Sequence, residues 1–183
     1  MIVSGGGVFY SDAVATLTSF AEKHGIPVTE TIAGRSQMLH DHNLNAGPLG
    51  VIGSSSANAI AAEADVVLAV GTRLQDFTTG SWSVFGNESM RLIAINAASF
   101  DAHKHRALSV VGDAKVGLAD LSSALGNWAG SPDWLQTAQG HYAEWNRTVD
   151  EHSGPSDAVP PSYGQVVGAI NRICDTTDLA LTA

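Results

Sequence analysis

The chain has 183 residues, 44% of them hydrophobic and 15% charged, enough to bury one substantial core and to carry part of a second. Nine Lys and Arg against eighteen Asp and Glu give a formal charge of −9, which leaves no basic stripe for a phosphate backbone and repels anionic membrane surfaces, so neither nucleic acid nor membrane is an expected partner. No apolar run approaches the roughly 20 residues of a membrane helix, Met1 is followed by a strand-like segment where a signal peptide would be charged, and Cys174 is the single cysteine. A cytoplasmic protein without disulfides or a cysteine-based zinc site is expected, its lone thiol serving in packing.

In chain order, Met1 to Ser4 reads as a short strand feeding the triplet Gly5 to Gly7. From Ser11 to His24 the apolar residues Val14, Leu17, Phe20 and Ala21 fall three and four apart, which predicts a helix with Ser11 as its N-cap and Gly25 as its stop. Pro27 to Ile32 predicts a second strand. A long irregular stretch follows, Ala33 to Gly53, with four Gly, one Pro and two His, a length that usually signals function or a packed partner. Ser54 to Glu63 reads as helix, and Asp65 to Val70 as the most continuously apolar strand, as in a parallel sheet covered on both faces. Arg91 to Asn96 and Ala107 to Val111 predict two more strands, and Asp113 to Leu125 a helix capped by Asp113. The alternation implies right-handed crossovers and a doubly wound, mainly parallel α/β sheet of Rossmann-like type.

Beyond Gly130 the texture changes. Trp134 to His152 predicts a helix with Trp134, Leu135, Ala138, Tyr142 and Trp145 on its apolar side, weakened by Gly140. Ser153 to Ser162, with three prolines, reads as an extended linker. Tyr163 to Cys174 is helical again and Asp178 to Thr182 starts a strand. The expected division is therefore 1–129 as one domain, 130–162 as helix and linker, and 163–183 as the truncated start of a further domain.

Several groups of residues are candidate sites. Gly5, Gly6 and Gly7, between a strand and a helix, suit the close approach of an anion, although Tyr10 stands where the third glycine of G-x-G-x-x-G would be. His40 with His42 and His103 with His105 alternate as metal ligands can, but neither pair brings a third ligand, which favours surface or interface histidines. Ser54 to Ser56 lie in no G-x-S-x-G elbow and read as caps and loop polars. Arg73 sits just past the carboxyl end of the most apolar strand, where open α/β sheets place their ligands. Its guanidinium suits an anionic cofactor, an acidic substrate or Asp76, and spacing alone does not choose among them. A nucleotide-binding module using Gly5 to Gly7, Arg73 and Asp113 is one open reading, and a structural Arg73–Asp76 pair is another.

Gly71, Arg73, Asp76, Thr79 and Gly80, with "RLIAINA", "VVGDAKVGLADL" and "AGPLGVIGSSSANAIAAEADVVLAVG", resemble the central domain of thiamine diphosphate-dependent enzymes of the acetohydroxyacid synthase and pyruvate oxidase type. The resemblance keeps order and spacing over most of Met1 to Leu125. Within that family "ETIAGRSQMLHDHNLNAGPLGVIG" and "VGTRLQDFTTGSW" are most similar to the inositol-catabolic branch, whose members open a trihydroxylated cyclohexane-1,2-dione ring to 5-deoxyglucuronate, the central domain of a related carboligase being the alternative. The resemblance implies a fold of the DHS-like NAD/FAD-binding type. It also implies thiamine diphosphate and Mg²⁺ in the full-length enzyme but none in this fragment, and N- and C-terminal domains of the same chain as partners in a homo-oligomer. The family's G-D-G diphosphate motif is absent, since Gly112 and Asp113 are followed by Ala114, and the activating Glu would precede Met1. The isolated chain is thus expected to be inactive. In flavin-containing relatives the residue matching Arg73 contacts FAD and an acidic D-x-D follows the next strand. Here Asn96 and Ala98 stand at those acids, a departure that argues against FAD.

Overall fold

The computed structural model describes residues 1–175, 177 and 178. Contacts divide the chain into two compact units, Met1–Tyr142 and Ala143–Ala183. In the first, six parallel strands, β1 (Ile2–Ser4), β2 (Val28–Glu30), β3 (Asn45–Pro48), β4 (Val66–Val70), β5 (Arg91–Asn96) and β6 (Leu108–Val111), lie in the order β3-β2-β1-β4-β5-β6. This is the doubly wound α/β arrangement that the alternation of elements implies.

Strand residues alternate between two cores, as the period of two requires. Ile2, Leu68, Val70 and Ile95 pack with Leu17, Phe20 and Leu118 on one face. Met1, Val3, Val67, Ala69, Leu92 and Ala94 pack with Ala57, Ile60 and Ala61 on the other. The first face is covered by α1 (Gly6–Tyr10), α2 (Val14–His24) and, after the short helices α4 (Asp76–Thr79) and α5 (Ser99–Ala102), by α6 (Ala114–Leu125); α3 (Ser55–Glu63) packs in the second core. Gly25 ends α2 in a left-handed conformation (φ 62°), as expected of a C-terminal glycine. Ser54 accepts from Ala57 N at 3.1 Å and caps α3, and Ser56 Oγ donates to Ala46 O at 2.9 Å, so these serines are cap and loop polars.

Two local expectations change. Ser11 does not cap α2: the chain after β1 turns directly into α1, Ser11 closes that helix, and α2 starts at Val14. The irregular stretch from Ala33 to Gly53 contains β3, whose sequence Asn-Ala-Gly-Pro has no β-branched or aromatic residue and pairs with β2 through a register shift.

The helix expected from Trp134 to His152 runs as α7 (Pro132–Ser153), Gly140 included. In the second unit α8 (Tyr163–Ile173) starts at a capping box in which Ser162 and Gln165 exchange hydrogen bonds. Gly168 lies so close to Ser153 O that a Cβ would collide with it, and Arg172 Nη1 donates to the same carbonyl at 2.9 Å. Cys174 is exposed, so the packing role expected of its thiol is not what the fold gives it. The strand expected from Asp178 to Thr182 lies, but for Asp178, outside the described residues. Among the described residues no helix is long and apolar enough to cross a membrane.

Candidate functional site

β1 and β4 are neighbours whose outgoing connections diverge to opposite sides of the sheet, which opens a crevice at their carboxyl ends. A cavity of about 390 Å³ occupies it. Gly6, Gly7 and Tyr10 contribute from the β1 side, Thr31 to Ala33 from β2, Gly71 to Arg73 from β4, and Asn96 and Asp101 from β5 and α5.

The glycine triplet is in this wall, but its backbone mostly serves the protein. Gly5 N donates to Val70 O (2.9 Å), Gly7 N to Gly71 O (2.9 Å) and Val8 N to Gly5 O (3.1 Å), so these N–H groups are not aimed at a ligand. The loops after β1 and β4 are in backbone contact: a Cβ on Gly7 would lie 2.6 Å from Gly71 Cα, and one on Gly71, itself at φ 60°, 2.7 Å from Gly7 Cα. Gln37 braces the same loop, Nε2 donating to Gly5 O at 2.9 Å while its Oε1 accepts from Ser4 Oγ.

Arg73 is exposed at the cavity wall, and its guanidinium makes no hydrogen bond or ion pair among the described residues. Asp76, three residues on, accepts instead from Ser81 Oγ at 2.8 Å, so the Arg73–Asp76 pair does not form. Asn96 is fully engaged, Nδ2 donating to Thr72 O (2.9 Å) and Oδ1 accepting from Ala98 N (2.9 Å). The carboxylate in the cavity comes from Asp101, which pairs with Lys104 at 2.6 Å. Sequence reasoning passed over Asp101; an acid one helical turn past a predicted strand end was its signal. The residues thus fit one anionic group against Arg73, in a volume at the lower end of small-molecule sites, without the strand-end acids of a ribose clamp.

Asp113 does not line this cavity. Its Oδ1 accepts from Lys115 N (2.9 Å) and Val116 N (3.1 Å) as the cap of α6, and the Val116 bond and the Ser11 hydroxyl hold its carboxyl below the usual range. The neighbouring Asp12–Lys115 pair, 2.8 Å apart, lowers the Asp12 pKa and raises that of Lys115. An acid so committed does not fit the diphosphate or its metal. The histidines bond locally as well: His42 Nε2 meets Glu22 at 3.2 Å, His103 Nδ1 meets Ser99 O at 2.8 Å, and His105 stacks on Trp82 with centroids 4.1 Å apart. Among the described residues no group of three His, Cys, Asp or Glu is arranged to hold a metal. A second cavity, at the end of β2, is lined by Glu30, which is buried and whose signal was an acid inside a predicted strand.

Residues 1–121 match the family model for the central domain of thiamine pyrophosphate enzymes. Over the whole chain the sequence is 42% identical to 3D-(3,5/4)-trihydroxycyclohexane-1,2-dione hydrolase of Clostridium tetani, covering 29% of that protein. It is 36% identical to the enzyme of the same name from Geobacillus thermodenitrificans, over 96% of this chain and 30% of that protein. A Clostridium perfringens relative of that name is 46% identical over 68% of the chain and 20% of its own length. The chain therefore spans less than a third of the curated relatives it matches.

Proposed function

The chain belongs to the thiamine pyrophosphate enzyme family as a central domain, and from that premise we propose that it forms the middle of a hydrolase that opens a trihydroxylated cyclohexane-1,2-dione ring to 5-deoxyglucuronate. The observation that carries this is the reach of the likeness: it continues past the family-model region, through α7, the proline-rich linker and α8, in a relative of that name. In that reading thiamine diphosphate and Mg²⁺ would be held by other domains and would supply the nucleophile and the electron sink for carbon–carbon cleavage. The residues of this chain supply the frame. Its partners are then the other domains of the same polypeptide within a cytoplasmic homo-oligomer, a role that the exposed Phe9, Tyr10, Leu39, Ile52 and Phe77 support, since apolar surface of this kind marks interfaces.

The test is an assay of the purified chain with substrate, thiamine diphosphate and Mg²⁺. No release of 5-deoxyglucuronate is expected, and turnover at a rate near that of a full-length relative overturns the reading.

A second reading rests on the unpartnered Arg73 guanidinium at the crevice: the domain holds an anionic nucleotide such as ADP or FAD. Thermal melts with ADP, FAD, NAD and CoA test it, because a ligand that binds only the folded state raises its melting temperature by mass action. A saturable rise lost in Arg73→Ala supports nucleotide binding, and flat responses to all four remove it.

A further inference from the structure

Glu30, the last residue of β2, is only 5% exposed. Its Oε1 accepts from Met38 N at 2.9 Å, while its Oε2 has no hydrogen-bond partner among the described residues. No sealed side-chain polar atom lacks a partner in the described structure, so Oε2 is not sealed, and the open space that Glu30 lines is a cavity of about 200 Å³. That oxygen is therefore free to accept from a donor that enters the cavity, whether water or a ligand.

The other polar groups of the wall define the ligand. Asn45 is turned to the backbone, Nδ2 donating to Leu39 O (3.1 Å) and Oδ1 accepting from Gly47 N (2.8 Å). Tyr142 donates to His40 O at 2.9 Å. Among the described residues, what lines the cavity without a hydrogen-bond partner is therefore Glu30 Oε2 as an acceptor, the guanidinium of Arg35 as a donor, and the Ser36 hydroxyl and the His40 imidazole, which can do either, against apolar contact from Met38, Leu39 and Pro48. Carboxylate and guanidinium cancel, so an ammonium group would meet Arg35 and an anion would meet Glu30. A hydroxyl donates to one and accepts from the other. The volume is below the ~300 Å³ at which drug-sized sites begin and equals roughly seven waters of liquid.

We propose that the Glu30 cavity binds a small neutral polyol of about three to six carbons, with one hydroxyl donating to Glu30 Oε2 and a neighbouring hydroxyl accepting from Arg35. This site is separate from the Arg73 crevice, and the proposal does not rest on the ring-opening reading.

The experiment is an NMR titration of the chain with xylitol, following the Met38 amide that donates to Glu30, with 1,2-diaminoethane and inorganic phosphate as charged probes. Xylitol is expected to shift Met38 saturably in the millimolar range. Glu30→Gln, which keeps an acceptor for Met38 N–H, should weaken it at least tenfold, and Arg35→Ala, at an exposed side chain, about threefold. Osmolyte exclusion from the surface would move wild type and variants alike, without saturation. That result, or tighter binding of either charged probe, or an unchanged affinity in Glu30→Gln, overturns the proposal. Should Glu30→Gln fail to fold, Arg35→Ala decides, unchanged affinity there being the overturning result.

Discussion

At the amino end of the sheet His24 is wholly buried between α2 and α6, with Nδ1 2.6 Å from Trp128 O and Nε2 3.1 Å from Ser122 Oγ. A carbonyl only accepts, so Nδ1 donates to Trp128 O, and Nε2 is held by the serine hydroxyl. Nearby the Met1 amine donates to Val66 O at 2.8 Å and Asn87 Nδ2 to Ala64 O at 3.2 Å. At the carboxyl end the backbone is just as tightly tied, Gly5, Gly7 and Gly71 sharing contacts and hydrogen bonds, yet the Arg73 guanidinium and one oxygen of Glu30 have no partner among the described residues. The contrast separates polar groups that hold the fold from polar groups left for something else. Burial does not make that distinction, since both His24 and Glu30 are buried; hydrogen-bond accounting does.

Gly71→Ala should be the most damaging, because its Cβ would lie 2.7 Å from Gly7 Cα and its φ of 60° suits glycine; a loss of about 3 kcal/mol or more is expected in urea unfolding. A loss below about 1 kcal/mol would show that the rim is loose and that its unpaired side chains are merely frayed. His24→Ala, which empties a packed site against Phe20 and orphans the Trp128 carbonyl, should cost about 3 kcal/mol.

Burial holds the Met1 amine at about 6, below its usual 8.0, with Asp65 opposing. Between those values the unfolded chain binds the proton more strongly, so stability should rise by about 2 to 3 kcal/mol from pH 6 to pH 8 and level off above. Below pH 6 both states are protonated and the stabilisation is absent. Urea titrations at pH 5.5, 7 and 8.5 measure this, and a version extended before Met1, with no free amine there, should lack the rise. Arg73→Ala should have the smallest effect, within about 0.5 kcal/mol, because the side chain is exposed and its guanidinium bonds to none of the described residues. A larger loss would move Arg73 into the group of side chains that hold the fold.

Much of the fold was legible locally. The apolar run of β4, the glycine stop after α2 and the Asp113 cap of α6 each depend on residues within a few positions. β3 and α1 were not legible. Asn-Ala-Gly-Pro becomes a strand because β2 offers it an edge, and Gly-Gly-Val-Phe-Tyr becomes a helical turn where two loops meet at glycines. The same limit applied to the sites: Arg73 was found from its place after a strand, whereas Glu30 drew no attention because its importance lies in an empty hydrogen-bonding position.

The sequence by itself determined the class of sheet, the alternation of its elements and the family likeness, since these rest on periodicity, turn chemistry and residue order. Only the tertiary structure decided which polar groups find partners. Asp76 stands three residues from Arg73 but bonds to Ser81, and Asp113 sits in a suggestive Gly-Asp but caps a helix. Whether a side chain is satisfied depends on groups brought together from distant parts of the chain, and no local pattern records that.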